Sequence, residues 1–596
     1  MSAIWGIVDL QAGQRLAGES LCDGRLREEA ARMRETYKSS CLDRIEERLG
    51  EGYYFACGVQ NVTKEAAWEH FPYGSAGADG DLFIADVILD NRARMLREVA
   101  GYMEGTVGTE GTVPPDGEIL YESFRKAKEQ TLATARGAYA CAYLERGKGS
   151  LTLFNDAVGN RSVYYFREGH RIYFSSLLRG ILCERQDWKS NEGWFERFVA
   201  MEDLRAAAEP RETPYTGIYR LQPGEVIVFT RDGERRRSYW DPFATRKVLT
   251  GKTDEEYREL VTDTLKSCVE DVIRGDKETG ILLSGGLDSN AVAAFSAPFL
   301  KDRGRKLYSF TSVPQEKERA IVPGQYAVED ERHYVELVKS FQGNLEPEYI
   351  VTDKGDLLAE NRKLLELLEV PYKAVLNLPW MYESYRRAAQ KGCGILLSGQ
   401  YGNITISYGD FRSLFLTLLR QGKLLTLTRE IDAYRRKYRK SRRWIWKDLL
   451  TAGQHEDFWA VSRYMYDKNA LRQVGEYEVK LSLATGVIPR DPTRDKRMIE
   501  LVLSLPPEQF THDGQERRLV RRYLRGYIPE KILTEEFHKG RQGVGSGELL
   551  TRQWEQIRKE LAMPAGLSAD VRISREQMVR AFYLGLAAEY QNFHYN

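Results

Sequence analysis

Nowhere in the 596 residues is there a run of about 18 apolar side chains, the length a helix needs to cross a bilayer. The opening Met1-Ser2-Ala3-Ile4-Trp5 has no basic region and no long apolar stretch, which argues against a signal peptide. Cysteine is sparse: Cys22, Cys41, Cys57, Cys141, Cys183, Cys268 and Cys393 stand singly, with no CxxC pair. That pattern speaks for reduced thiols rather than a disulfide framework. The seven histidines are scattered and HExxH is absent, so no zinc centre is expected. A net charge of +1 gives no global pull toward nucleic acid or membrane. Repeats and low-complexity tracts are missing too. The expectation is a cytoplasmic protein with no membrane span and no nucleic-acid partner.

What is present is enough apolar sequence for more than one core. The first 240 residues read as mostly β. Runs at 53–62, 82–89, 138–144, 151–154, 163–166 and 172–175 are short and split by turns such as Gly147-Lys148-Gly149, which predicts an antiparallel meander. Helices are predicted at 24–38 and 115–132. After Tyr239-Trp240-Asp241-Pro242 the character changes. Helical spacing over 254–274 is followed by alternating apolar runs (280–283, 307–310, 395–397) and helices (290–300, 330–341). Alternation of this kind predicts a parallel sheet with covering helices. The chain therefore divides into residues 1–240 and 254–596.

The sharpest signal is Ser284-Gly285-Gly286-Leu287-Asp288-Ser289, set between a predicted strand and a predicted helix. Two glycines let backbone amides approach a polyphosphate. A helix N-terminus adds donors and a positive dipole end. Ser284 and Ser289 can donate hydroxyl hydrogen bonds. Asp288 would repel a bare phosphate and makes sense with Mg2+ held between the two. The plainer reading is a Gly-Gly turn with Asp288-Ser289 starting the next helix. The full string in its strand–loop–helix setting favours nucleotide. It is not a Walker loop, because no GxxxxGK[ST] occurs. It resembles the pyrophosphatase-type loop of enzymes that split ATP into AMP and pyrophosphate.

With that loop in place, the whole chain resembles the asparagine synthetase family, which includes β-lactam synthetases and lasso peptide cyclases. Ser2-Ala3-Ile4-Trp5-Gly6-Ile7 matches the family's opening strand. Asp90-Asn91-Arg92 and the stretch Asn155 to Tyr165 look like its glutaminase-type domain. Asp330-Glu331-Arg332-His333-Tyr334-Val335 and Asp491 to Arg497 resemble its later motifs. The resemblance implies a mixed α/β chain. An αββα N-terminal-nucleophile-type domain precedes an α/β ATP-pyrophosphatase domain. It also implies an ATP-binding set of Ser284, Gly285, Gly286, Leu287, Asp288, Ser289, Thr311, Ser398 and Gly399.

Three departures matter. Glutamine-dependent members carry a catalytic cysteine directly after Met1; here the place holds Ser2. An unactivated hydroxyl attacks an amide poorly, so the domain reads as a scaffold, with a serine amidohydrolase as the alternative. The family's second ATP motif becomes Ser398-Gly399-Gln400-Tyr401-Gly402-Asn403. Its catalytic position falls on Gln400, which cannot act as a base, and its metal position on Asn403, which offers Mg2+ a neutral oxygen beside Asp288. The base is left open; Glu430, Glu476 and Glu500 are candidates by composition only, each read as a solvated surface charge. The family's late lysine maps to Arg541 or, with a shifted gap, to Lys539. Either cation can steady charge developing on phosphate or on a tetrahedral centre. Arg517, Arg521 and Arg522 lie on a predicted helix near these positions.

The basic stretch Arg435 to Lys447 carries interleaved aromatics. A solvated helix with aromatic anchors is the first reading, a docking face for an acidic or peptide partner the second, and base stacking on a nucleic acid the third. The expected activity is an ATP-dependent amide ligase that adenylates a carboxylate. Among relatives lacking the cysteine, the lasso peptide cyclases fit best. That resemblance implies a precursor peptide substrate, closed into a macrolactam, together with a leader-recognition protein and a leader peptidase. The alternative is an ammonia-dependent asparagine synthetase or another small-molecule amide synthetase. A non-catalytic ATP-binding scaffold is the third reading.

Overall fold

The computed structural model describes residues 2–11, 22–75, 80–99, 113–200, 211–244, 246–314, 327–328, 330–351, 355–372, 377–451, 456–466, 468–535, 539–540, 549–550, 552–553 and 556. Twelve strands between Ser2 and Ser238 form two six-stranded sheets. In the first, Ser2–Asp9 lies between Arg171–Ser175 and Tyr53–Val59, antiparallel to both. In the second, Asp81–Leu89 pairs antiparallel with Gly137–Glu145 along its whole length.

Alternation along each strand gives every sheet two apolar faces. Ile4, Val8 and Phe55 of the first sheet share a core with Leu82, Ile84 and Leu153 of the second. The opposite face of the first strand, Ala3, Trp5 and Ile7, packs on Leu26, Ala30, Met33 and Tyr37 of the helix Cys22–Glu35. Trp5 and Tyr37 stack at 4.0 Å. On the far side, Phe124 of the helix Asp116–Ala127 stacks on Phe154 at 4.4 Å. The layers are therefore helix, sheet, sheet, helix, the αββα arrangement.

The second part is built on a five-stranded parallel sheet ordered Leu345–Ile350, Leu307–Ser312, Glu278–Leu282, Cys393–Leu397 and Ile488–Arg490. Both faces are covered. Ile281 belongs to the core that holds the helices Asp254–Val272 and Leu287–Lys301. Its neighbour Leu282 belongs to the core that holds Leu378–Gln390 and Lys468–Thr485. The chain winds one way from Glu278–Leu282 to Leu345–Ile350, then crosses back to Cys393–Leu397. That reversal is a topological switch point, where open α/β sheets place ligands at the carboxyl ends of their strands.

Several edge strands go unpredicted by the sequence, among them Arg44–Gly50 and Leu345–Ile350. The charged and proline residues of these two suit a partly solvated sheet edge and break the apolar pattern. Among the described residues no helix is long and apolar enough to cross a membrane.

The two parts are joined by buried charge. Glu476, on Lys468–Thr485, accepts two bonds from Arg220 at 2.8 and 2.9 Å, one from Arg472 at 2.7 Å and one from the Tyr164 hydroxyl. Lys480, one turn on and fully buried, donates to Tyr164 at 3.0 Å. Arg490 pairs with Asp90.

Candidate functional site

The Ser284–Ser289 loop leaves the strand Glu278–Leu282, and the Ser398–Asn403 loop leaves its parallel neighbour Cys393–Leu397, with Ile281 in register with Leu397. Both loops therefore emerge side by side at the switch point. The helix Leu287–Lys301 begins directly from Gly286.

Their contact is close. A Cβ added at Gly399 would stand 2.7 Å from the Asp288 carbonyl oxygen, and one at Gly402 would stand 2.6 Å from Asp288 Cβ and Cγ. Only glycine admits this approach. Asp288 Oδ1 accepts a hydrogen bond from Ser407, beyond the second loop. Asn403 is exposed beside Gly402, in the 3-10 turn Gly402–Ile404. The carboxylate and the carboxamide thus sit at adjoining loops.

The first loop is internally tied. Ser284 N–H donates to Ser289 Oγ at 3.0 Å, the two hydroxyls lie 3.0 Å apart, and Gly286 N–H donates to Ser284 Oγ at 3.1 Å. Both serines shape the loop as well as offering hydroxyls. Asn290 Nδ2 donates to the carbonyls of Ser284 and Gly286 at 2.9 and 2.7 Å. Gly285 N–H is held by Glu331 Oε1 at 2.8 Å. Burial pushes the Glu331 carboxyl up to about 7, against the Gly285 hydrogen bond and with help from the Asp330 charge. Glu331 stands in sequence only as part of a family string, and its separation of 46 residues from Gly285 leaves no local signal for the contact.

Two expected residues carry buried, unsatisfied oxygens. Thr311 Oγ1 and Ser398 Oγ have no hydrogen-bond partner among the described residues. Thr311 lies at the end of the strand next to Glu278–Leu282, and Ser398 opens the second loop. Buried hydroxyls at the mouths of the two strands that flank Glu278–Leu282 suit a polar ligand.

Gln400 Oε1 accepts a bond from the Tyr477 hydroxyl at 2.7 Å. Tyr401 N–H donates to Asp491 Oδ2 at 2.9 Å and fixes the second loop to the last strand. Neither partner was singled out as a site residue. Both come from distant segments.

Some readings are corrected. Glu430 and Glu476 are not solvated surface charges. Glu430 is 2% exposed and bonds His512 Nδ1 at 2.5 Å, and Glu476 is 1% exposed in the ion-pair cluster above. Each is spent on structural pairing. Glu500 is partly exposed and accepts from Trp240 Nε1 at 3.0 Å. Arg521 is buried and donates to the Leu533 carbonyl, whereas Arg522 pairs with Asp254. Arg517 is the N-cap of the helix Arg518–Tyr523. Lys539 is described only as backbone, paired in parallel with Ala327. Arg541 and the Ser2 side chain lie outside the described residues. The basic stretch spans two helices, Leu424–Tyr438 and Arg442–Thr451, with Trp444 and Trp446 partly exposed and Ile445 buried.

The two family matches agree with this architecture. The model for "Asparagine synthase" matches residues 260–595, and that for "Glutamine amidotransferase domain" matches 106–240. Asparagine synthetase [glutamine-hydrolyzing] 3 of Bacillus subtilis is 22% identical over 450 residues, covering 70% of this chain and 69% of its own. Putative asparagine synthetase [glutamine-hydrolyzing] 2 of Methanocaldococcus jannaschii is 24% identical, covering 54% and 59%. Glutamine phosphoribosylpyrophosphate amidotransferase of B. subtilis, a structure complexed with ADP and GMP, has 10% identity and a TM-score of 0.28, over 59% of this chain and 91% of its own. A synthase match that spans more than half of the chain, over the sheet that carries both loops, settles the family: this protein belongs to the asparagine synthase family of ATP-dependent, AMP-forming carbon–nitrogen ligases.

Proposed function

We propose that the protein adenylates a carboxylate with ATP and joins it to an amine, and that carboxylate and amine belong to one peptide, closed into a macrolactam. The observation that carries the ligase chemistry is the meeting of the two loops, with Gly402 against Asp288. In this reading the Ser284–Ser289 loop and the start of its helix hold the phosphates. Thr311 and Ser398 supply buried hydroxyls to the nucleotide. Asp288, with Asn403, offers hard oxygen donors of the kind that hold Mg2+ on a polyphosphate. That ion would neutralise phosphate charge while pyrophosphate leaves. Lys539 or Arg541 is the cation for the developing charge.

The peptide reading is supported by Ser2 at the head of the first strand, where glutamine-hydrolysing members have cysteine. A serine there leaves ammonia release without its thiolate, so the amine comes from the substrate. The charge cluster that joins the two parts fits an N-terminal domain retained as scaffold. Cyclisation of this kind would need a precursor peptide, a leader-recognition protein and a leader peptidase. The names of the two curated relatives, both asparagine synthetases [glutamine-hydrolyzing], favour a second reading as an asparagine synthetase; with Ser2 in place of the cysteine it would be the ammonia-dependent form.

AMP release with Mg·ATP separates the readings. A linear peptide that loses one water supports the macrolactam. Amide formation from free aspartate and ammonium supports the second reading. Asp288→Ala should abolish AMP release in either case, and a fully active variant would remove the assignment.

A further inference from the structure

The relatives' second loop is expected to carry a base, and here it carries Gln400. The structure places one partner on that side chain: the Tyr477 hydroxyl, 2.7 Å from Gln400 Oε1. Tyr477 rides on the helix Lys468–Thr485, between Glu476 and Glu478, both buried. Its ring meets Tyr372 edge-on at 5.8 Å. Burial, then the Glu478 charge, raises the phenol well above its usual range, so it stays protonated and donates. A donor on Oε1 fixes which way the carboxamide points. The oxygen end is anchored on Tyr477, which leaves Nε2, with two N–H donors, at the other end of the amide.

We infer that Gln400 is a hydrogen-bond donor to an oxygen of the acyl-adenylate, and that Tyr477 is the positioning residue that turns its amide group for this task. The inference rests on the adenylation reading above. Gly399 and Gly402, on either side of Gln400, lie against Asp288, which sets this loop beside the expected phosphate side of the site. In the capture step the neutral amine nitrogen adds to the acyl carbon, and the carbonyl electron pair moves onto oxygen. The Gln400 N–H steadies that oxyanion. The C–O bond to AMP then breaks, AMP leaves with the pair, and the surplus amine proton passes to water. No group of this loop removes the proton. At the position that the family resemblance marks as catalytic this chain carries a neutral donor, which suits an amine that arrives already deprotonated.

The test uses β-aspartyl sulfamoyl adenosine, a non-hydrolysable acyl-adenylate mimic, titrated calorimetrically into the full chain with ATP as reference. Gln400→Glu should weaken the mimic roughly 10- to 100-fold at pH 8, the range for losing a hydrogen bond to a charged group. Its ATP affinity should change far less. The deficit should shrink as pH falls toward 5, because the new carboxyl regains a proton to donate; a merely structural defect would not respond this way. Tyr477→Phe should weaken the mimic severalfold in the wild-type background and add nothing in Gln400→Ala. Equal or tighter binding of the mimic by Gln400→Glu at pH 8 overturns the donor role alone. A wild-type chain that binds neither ATP nor the mimic overturns the adenylation reading, and this inference with it.

Discussion

Gly402 lies so close to Asp288 that a methyl group on it would stand 2.6 Å from the carboxylate carbon. Two segments more than a hundred residues apart thus meet at one carboxylate, which Ser407 also engages. The contact is possible because both loops leave adjacent parallel strands at the point where the sheet reverses its winding.

Gly402→Ala is therefore expected to displace Asp288 rather than to unfold the sheet. Gly402 is buried, but it lies in a short 3-10 turn, outside the strands. AMP release should fall at least tenfold, while the thermal midpoint moves by only a few degrees. Activity and melting measured on one preparation check this. A variant with full activity would show that the two loops can part without consequence.

A second expectation concerns Glu331, which is 3% exposed and holds Gly285 N–H. Its carboxyl is pushed up to about 7, above its value in an unfolded chain. The folded state therefore binds the proton more tightly, and this group's contribution to stability falls as pH rises from about 4.5 through 7. Glu331→Gln keeps an acceptor for Gly285 and stays neutral. Its melting point, relative to the wild type, should rise between pH 5 and pH 8. Glu331→Ala leaves the amide unpaired, at a cost of about 1–3 kcal/mol, and should raise KM for ATP. Parallel melting curves for wild type and Glu331→Gln across that range would contradict the assignment.

The relation of sequence to structure differs between these residues. The strand Glu278–Leu282 and its loop are legible because an apolar run stops at Gly285-Gly286 and a helical pattern follows. The antiparallel strands of the first part follow from short alternating runs, whereas its αββα layer order is what the family resemblance implies. Leu345–Ile350 is hidden by Glu346, Pro347 and Glu348, which an edge strand tolerates. Glu476 looks like surface charge in the sequence because its partners, Arg220 and Tyr164, are more than 250 residues away. The same is true of Tyr477, which reaches Gln400 across 77 residues. Motifs that a strand and its own turn create can be read locally. Contacts that depend on which strands become neighbours cannot.

The last expectation is for Glu476 itself. Burial alone would raise its carboxyl, but Arg220, Lys480 and Arg472 outweigh that and hold it down to about 2. A folded value below the unfolded one stabilises the chain above about pH 4.5, and that stabilisation is lost as pH falls toward 2. Removing the carboxylate would leave Arg220 and Arg472 buried without their shared counter-charge, while Lys480 keeps Glu369 at 3.6 Å. Breaking a buried pair in this way costs about 3–5 kcal/mol. Glu476→Ala should lower the urea midpoint accordingly, and should flatten the acid limb of the stability curve between pH 4 and pH 2. The exposed pair of Asp432 with Arg442 provides the contrast. It is solvated and screened, so Asp432→Ala should leave the urea midpoint nearly unchanged. Equal effects from the two variants would show that the cluster between the two parts contributes no more than surface charge, and would remove its role as the joint that carries Tyr477.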